Sequence, residues 1–273
     1  MMITDKPKVS VVVAVYNAEK FITDTINAVL NQTFDNFELI LLDDCSSDNS
    51  IDIIKQFSDD RIHIFKNDKN LGISQTRNKL LKMAKGEYIA ILDHDDICLP
   101  HRLEEQVNFL EKNTDIDMIG SWFELFCPKG AVWWRRFLVN LGWIWCHPLR
   151  PTIFDAWKGN VLMHPTMMFR REVFTKHNIY YREEYTPAED YDLVFQALEK
   201  GLNLANIPKV LLKYALHGNN LSIKAKKAMA VADIRVKTNI AKLLNKNIKN
   251  KYPYWKVIVQ KLRLKFMVKE KNV

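Results

Sequence analysis

The sequence predicts an α/β fold, a mostly parallel sheet with helices on both faces and a C-terminal helical extension. Three observations carry this. Apolar, β-branched runs recur along the first hundred residues, segments of helical apolar spacing separate them, and the runs are near-continuous rather than alternating. Strands buried on both faces of a parallel sheet read this way.

The first run is "KVSVVVAVYN" (8 to 17), and a helical pattern follows with Phe21, Ile22, Ile26, Val29 and Leu30 on one face. "FELILLDDCSSD" (37 to 48) repeats the plan, and its Ser46, Ser47 and Asp48 are candidate caps for a helix that packs Ile51, Ile54 and Phe57. "RIHIFKN" is the third strand, "SQTRNKLLKMAKG" a helix expected to close at Gly86, and "EYIAILDHDD" the fourth strand. Beyond Pro100, Leu103, Val107 and Leu110 give "HRLEEQVNFLEKN" an inward face, and "DMIGSWFELF" is another strand. "MHPTMMFRREVF" (163 to 174) predicts a strand and a helix start, "YTPAEDYDLVFQALEKG" (185 to 201) a loop opening a helix, and "NIPKVLLKYALHGNNLS" a last strand entering a polar turn. Met229, Val236, Ile240 and Leu243 then mark an amphipathic helix, and Pro253 interrupts the segment after it.

These elements divide the chain into a domain at 1–221 and a basic helical tail at 222–273. The domain splits into halves at about 8–112 and 113–221. The net charge of +8 belongs to the tail. From Ser222 to Val273 there are 15 Lys plus Arg against 2 Asp plus Glu, or +13, which leaves −5 for the rest. Such asymmetry points to an anionic partner, membrane headgroups before nucleic acid. Trp255, Ile258, Leu262, Leu264 and Phe266 among the tail lysines favour peripheral attachment at an anionic membrane surface, for which sedimentation with anionic vesicles is the check. Residues 131 to 157 hold Trp133, Trp134, Trp143, Trp145 and Trp157 with Arg135, Arg136 and Arg150. Both a packed insertion and a lid or interfacial loop fit that composition. Four separated cysteines and no long apolar run imply a reduced, cytoplasmic chain without a membrane-spanning helix.

Polar residues gather at the carboxyl ends of the first strands: Tyr16 and Asn17, Asp43 and Asp44, and Asp93 to Asp96. Open α/β sheets bind ligands at that edge, where strand order reverses. Crowded carboxylates there suit a hard cation such as Mg²⁺ or Mn²⁺, which takes one or two protein carboxylates and completes its shell with water and phosphate.

Taken together, "VSVVVAVYNAEKFITDTINAVLNQTFDNFELILLDDCSSDNS", "NLGISQTRNKLLKMAKGEYIAILDHDDICLPHRLEEQV", "HPTMMFRREVF" and "AEDYDL" resemble the family 2 glycosyltransferases. These are inverting enzymes of the GT-A fold, and many of them build bacterial cell-surface glycans. The resemblance spans roughly residues 8 to 220 and leaves out the Trp-rich segment and the tail. It implies a nucleotide-sugar donor, most simply a UDP-sugar, and an acceptor hydroxyl on a glycan or lipid-linked glycan.

By position, Tyr16 resembles the residue that packs on the base, and Asp44 the carboxylate accepting from the base N3–H. Ala14 stands on the same nucleotide side, where the family often has Pro, and Cys45 stands where it often has Gly. Arg77 resembles the basic residue near the diphosphate. Asp93 and Asp95 form the DxD motif around His94, and Asp95 or Asp96 is the implied metal ligand with His217 near it. Asp190 resembles the catalytic base, with Glu189 beside it. His164 and Arg170 are expected to anchor the loop beneath the site. Two alternatives stand beside this reading. One is a membrane-surface module that binds nucleotide sugar without turnover. The other is a sugar nucleotidyltransferase, against which "VYNAEK" lacks the Gly-rich phosphate loop.

Overall fold

The computed structural model describes residues 6–128, 144–217, 220 and 225–247. The Trp133, Trp134 and Trp143 positions, Arg135 and Arg136, and the tail beyond residue 247 lie outside them.

The run after Lys8 forms β1 (Val9–Val15), and the helical pattern after it forms α1 (Ile22–Leu30). The same alternation yields β2 (Phe37–Asp43), α2 (Ser50–Ile54), β3 (Ile62–Lys66), α3 (Ile73–Met83) and β4 (Tyr88–Asp93). After the short β5 (Ile97–Cys98) come α4 (Arg102–Lys112), β6 (Met118–Phe126), β7 (Ile144–Trp145) and α5 (Ile153–Ala156). A 3₁₀ turn at His164–Thr166 precedes β8 (Met168–Arg170) and α6 (Glu172–Thr175). A second at Glu183–Tyr185 precedes α7 (Glu189–Glu199), and β9 (Leu204–Ala215) and α8 (Lys226–Asn247) complete the described chain.

The strands join one sheet in the order β3-β2-β1-β4-β8-β6-β9-β5, with β7 paired to β6. Strands β1 to β4 pair in parallel, and β6 pairs in parallel with β9; β5, β7 and β8 run antiparallel to their neighbours. The chain steps outward from β1 to β3 and then crosses back to β4, so strand order reverses between β1 and β4. That is where such sheets open a crevice.

Side chains alternate across each strand, so the two sheet faces build two cores. On one face Val9, Val11, Val13 and Val15 pack with Ile22 and Ile26 of α1 and Leu103, Val107 and Leu110 of α4. On the other, Val12, Ile40 and Leu42 pack with Leu80 of α3, Leu193 and Val194 of α7, and Ala232, Val236 and Ile240 of α8. Burying each such aliphatic side chain is worth about 1.5–3 kcal/mol. The apolar face read at 229–243 is thus the face by which α8 seats against the rest of the fold. No described helix is long and apolar enough to cross a membrane.

Three local expectations resolve differently. Helix α3 ends at Ala84 in extended backbone, and Gly86 does not serve as its left-handed cap. Gly86 is required by close approach instead: a Cβ there would lie 2.6 Å from the backbone N of Ser10 and 2.8 Å from the carbonyl O of Tyr88. Gly86→Ala is therefore expected to destabilise the fold by about 1–3 kcal/mol, since backbone rather than a flexible side chain must move. An unchanged urea midpoint would contradict this. At the second, the position preceding α2 is Asn49, which makes no side-chain cap, and of the candidates Asp48 reaches the helix start, its Oδ1 accepting from the Ser50 N–H at 3.0 Å. Third, Arg170 does not sit beneath the sheet edge that carries the polar residues. It lies at the opposite end of β8, where its guanidinium donates to the carbonyls of Ile116 and Leu110 and fixes the end of α4.

Candidate active site

A cleft of about 740 Å³ opens at the carboxyl ends of β1, β2 and β4. One wall comes from the ends of β1 and β2. Tyr16 is 46% exposed directly after β1, free to present its ring to a ligand. Asn17 and Cys45 both adopt left-handed backbone, φ 50° and 61°, and Cys45 does so where the resemblance expects Gly. The two residues of the carboxylate pair point differently. Asp43 is fully buried, accepts from the Ser46 N–H and stays out of the cleft. Asp44 lines the cleft, with Oδ1 accepting from Asn67 Nδ2 at 2.7 Å and Leu71 N at 2.9 Å and Oδ2 from Gly72 N at 2.9 Å. Asp44 thereby holds the 67–72 loop that launches α3, and Gly72 takes φ 81° to make that turn.

The end of β4 supplies the second wall. Ala14 is paired in register with Asp93, and its carbonyl meets His94 Nδ1 at 3.1 Å, so His94 is tethered to β1. Asp93 stands between Arg77, 2.9 Å away, and His164 Nδ1, 3.4 Å away. Burial alone would raise the Asp93 carboxyl, but His164 and Arg77 together hold it well below the usual carboxylate range. His164 belongs to the 3₁₀ turn, and its other nitrogen meets the Tyr181 hydroxyl at 3.0 Å.

Arg77 projects from α3 with its guanidinium 2.9 Å from Asp93 and 2.6 Å from Glu189 at the start of α7. Burial works against its charge, and the two carboxylates more than offset that. The expected diphosphate clamp is thus first a strut between the two sides of the cleft. Glu189 is 3% exposed; its burial, with Asp190 beside it, raises its carboxyl despite Arg77.

Asp95 and Asp96 separate the two metal candidates. Asp95 lines the cleft, with His217 Nε2 2.8 Å from its Oδ2, and the His217 ring stacks on Phe21 at 4.6 Å. Asp96 does not line it: it is fully buried, with Oδ1 accepting from the Ala215 N–H at 2.7 Å. Burial pushes the Asp96 carboxyl well above its ordinary range, and Asp95 and Asp93 add to this. Asp96 ties the β4 turn to the end of β9, the strand from which His217 is hung. Among the described residues no group of three or more His, Cys, Asp or Glu side chains is placed to hold a metal. The Asp95–His217 pair, hydrogen-bonded to each other and both lining the cleft, is a smaller donor set of one carboxylate and one imidazole. That size suits a cation whose remaining positions go to water and substrate phosphates.

Asp190 opens α7 on the far wall, with Oδ2 accepting from Asn160 Nδ2 at 3.0 Å and Oδ1 from the Tyr191 N–H at 2.7 Å. Asp192, two residues on, turns inward to Arg182 and Gln196 and is structural. The cleft thus gathers Ala14, Tyr16, Asp44, Arg77, Asp93, His94, Asp95, His217 and Asp190, and leaves out Asp96. Sequence reasoning missed Asn160, Met229 and Asp233 as cleft residues. Asn160 carries no local signal, and the helical pattern around 229–243 marks only the packed face.

A family model for glycosyl transferase family 2 matches residues 10–177. The chain belongs to that family. A relative from Escherichia coli, the UDP-Glc:alpha-D-GlcNAc-diphosphoundecaprenol beta-1,3-glucosyltransferase WfaP, is 31% identical over 220 residues, covering 78% of this chain and 79% of that one. An uncharacterized glycosyltransferase of Haemophilus influenzae is 36% identical over 224 residues, 79% of this chain and 68% of its own. Among solved structures, S. aureus TarS in complex with UDP-GlcNAc aligns over 88% of this chain and 73% of its own with TM-score 0.64 and 19% identity. The mannosyltransferase PcManGT from Pyrobaculum calidifontis, in complex with GDP-Man and Mn²⁺, aligns over 96% and 81% with TM-score 0.61 and 15% identity. The fold is that of these two structures, and the family match makes the chain a glycosyltransferase.

Proposed function

We propose that the chain is an inverting glycosyltransferase that moves a sugar from a UDP-sugar to a hydroxyl of a glycan or lipid-linked glycan in cell-surface polysaccharide synthesis. The observation that carries this reading is a division of labour across one cleft. Tyr16, Asp44 and the Asp95–His217 pair line the β-strand side, and Asp190 lines the α7 side.

Tyr16 gives an exposed ring for base stacking, and Asp44 offers carboxylate oxygens to the base N3–H. Asp93 and His94, fixed by Arg77, His164 and the Ala14 carbonyl, present polar atoms to the ribose and diphosphate. Asp95 and His217 would hold Mn²⁺ or Mg²⁺, which supplies charge stabilisation to the departing diphosphate. Arg77 acts by position: its ion pairs set the distance between the Asp93 and Glu189 walls. Glu189 is spent on Arg77, so Asp190 is the carboxylate at the start of α7 left to take the proton from an attacking hydroxyl. One base on the acceptor side and single displacement give inversion at the anomeric carbon.

The relatives support the substrate classes. WfaP is named for UDP-Glc and a diphosphoundecaprenol-linked acceptor, and PcManGT was solved with GDP-Man and Mn²⁺. A membrane-facing acceptor also suits the basic tail. The test is nucleotide release from a panel of UDP- and GDP-sugars with and without Mn²⁺. Metal-dependent release from a UDP-sugar is expected, release from GDP-sugars alone would reassign the base, and binding without release would favour a module without turnover.

A further inference from the structure

The cleft does not end at Asp190. Past Asn160 and Tyr191 it is walled by α8, through Met229 and Asp233. These two residues are one helical turn apart and so share a face. This wall lies beyond residue 177, where the family match ends, as does Asp190. It is also a firm wall. Ala232, Val236 and Ile240 are buried against the core, Arg235 donates to the Glu184 carbonyl at 2.7 Å, and Asn239 donates to the Tyr185 hydroxyl at 2.8 Å. Asp233 keeps a 34% exposed side chain, held by Lys237 at 3.0 Å, and its field reaches Tyr191, the residue next to Asp190.

We propose that α8 forms the acceptor-sugar subsite, an inference that rests on the glycosyltransferase reading above. Asp233 accepts hydrogen bonds from hydroxyls of the acceptor sugar flanking the one that reacts, and Met229 packs on an apolar face of that sugar. A carboxylate beside a thioether fits a polyhydroxylated ring, which presents O–H groups at its edge and C–H groups on its face. Asp233 is a binding residue here, and the proton of the reacting hydroxyl goes to Asp190.

The experiment uses the full chain with Mn²⁺, the UDP-sugar it turns over, and a panel of p-nitrophenyl α- and β-hexosides as acceptor probes. Asp233→Ala is expected to raise the acceptor KM about tenfold or more, the loss of one or two hydrogen bonds to a sugar. Asp233→Asn, which keeps one acceptor oxygen, recovers part of that loss, and Met229→Ala raises the same KM. UDP affinity measured by calorimetry stays within about twofold in each variant, which separates the effect from misfolding. An unchanged acceptor KM overturns the proposal, as does a fall in kcat with KM unaltered, or a wild-type chain that no hexoside accelerates. Failure of the glycosyltransferase reading looks different, because no nucleotide sugar is then consumed at all.

Discussion

Asp190→Asn is expected to lower turnover about 10²–10⁴-fold, the usual worth of a positioned general base, while UDP binding is retained. The acceptor hydroxyl has an unperturbed pKa far above neutrality, so its attack needs a proton acceptor as the bond to the anomeric carbon forms. The position of Asp190 supports that role. It sits on the first turn of α7, held by the Asn160 amide and the Tyr191 N–H, and it lines the cleft. Asn keeps an oxygen for the Tyr191 N–H and nearly the same volume but sets its amide N–H against that of Asn160, so retained UDP binding is what separates lost proton transfer from a disturbed site. Calorimetric UDP affinity and single-turnover rates are the measurements. A variant that keeps more than about a tenth of the native rate would remove Asp190 from the role. The candidate to examine next would be Glu189, which first would have to be freed from Arg77.

The second large effect concerns the cation. Chelation is expected to abolish turnover, Mn²⁺ to restore it better than Mg²⁺, and Asp95→Asn to raise the Mn²⁺ needed by an order of magnitude or more. The preference follows from the donor set: Mg²⁺ strongly favours oxygen ligands, whereas transition-metal ions accept imidazole. His217→Ala removes the imidazole and also the stack on Phe21, so it should be the more damaging of the two. Mn²⁺ binding read by electron paramagnetic resonance in the presence of UDP separates ligand loss from catalytic loss. Full activity in chelator would sink the cation's role, and an unchanged Mn²⁺ requirement in Asp95→Asn would move the ligand elsewhere. Asp96→Asn is the control from the same turn. Its contact is the Ala215 N–H, which an amide oxygen can still accept, so the cation requirement should hardly move.

Much of the fold was legible because its signals are local. Continuous apolar runs such as Val9–Val15 can only be buried on both sides, and the helical spacing of Ile22, Ile26 and Val29 fixes which face of α1 meets the sheet. Parallel strands place their carboxyl ends on one edge, so Tyr16, Asp44 and Asp93 were bound to converge once the strands were recognised. Polar side chains paired across long stretches of sequence carried no such signal. Arg77 meets Glu189 across 112 positions and Asp95 meets His217 across 122, and either residue alone reads as an ordinary surface charge. Asn160 and Asp233 reach the cleft by loop path and helix docking, neither of which has a periodicity.

The stretch "AILDHDDICLP" shows where the boundary falls. By itself the sequence determined that a carboxylate cluster ends a buried strand at the ligand edge of the sheet, because strand period and crossover topology leave it nowhere else to go. Which carboxylate faces the cleft was decided only by tertiary structure. After β4 the chain turns within three residues, so Asp95 is left beside His217 in the cleft while Asp96 is drawn under β9 by the Ala215 N–H. That choice is set by where β9 ends, more than a hundred residues later, and no local pattern can encode it.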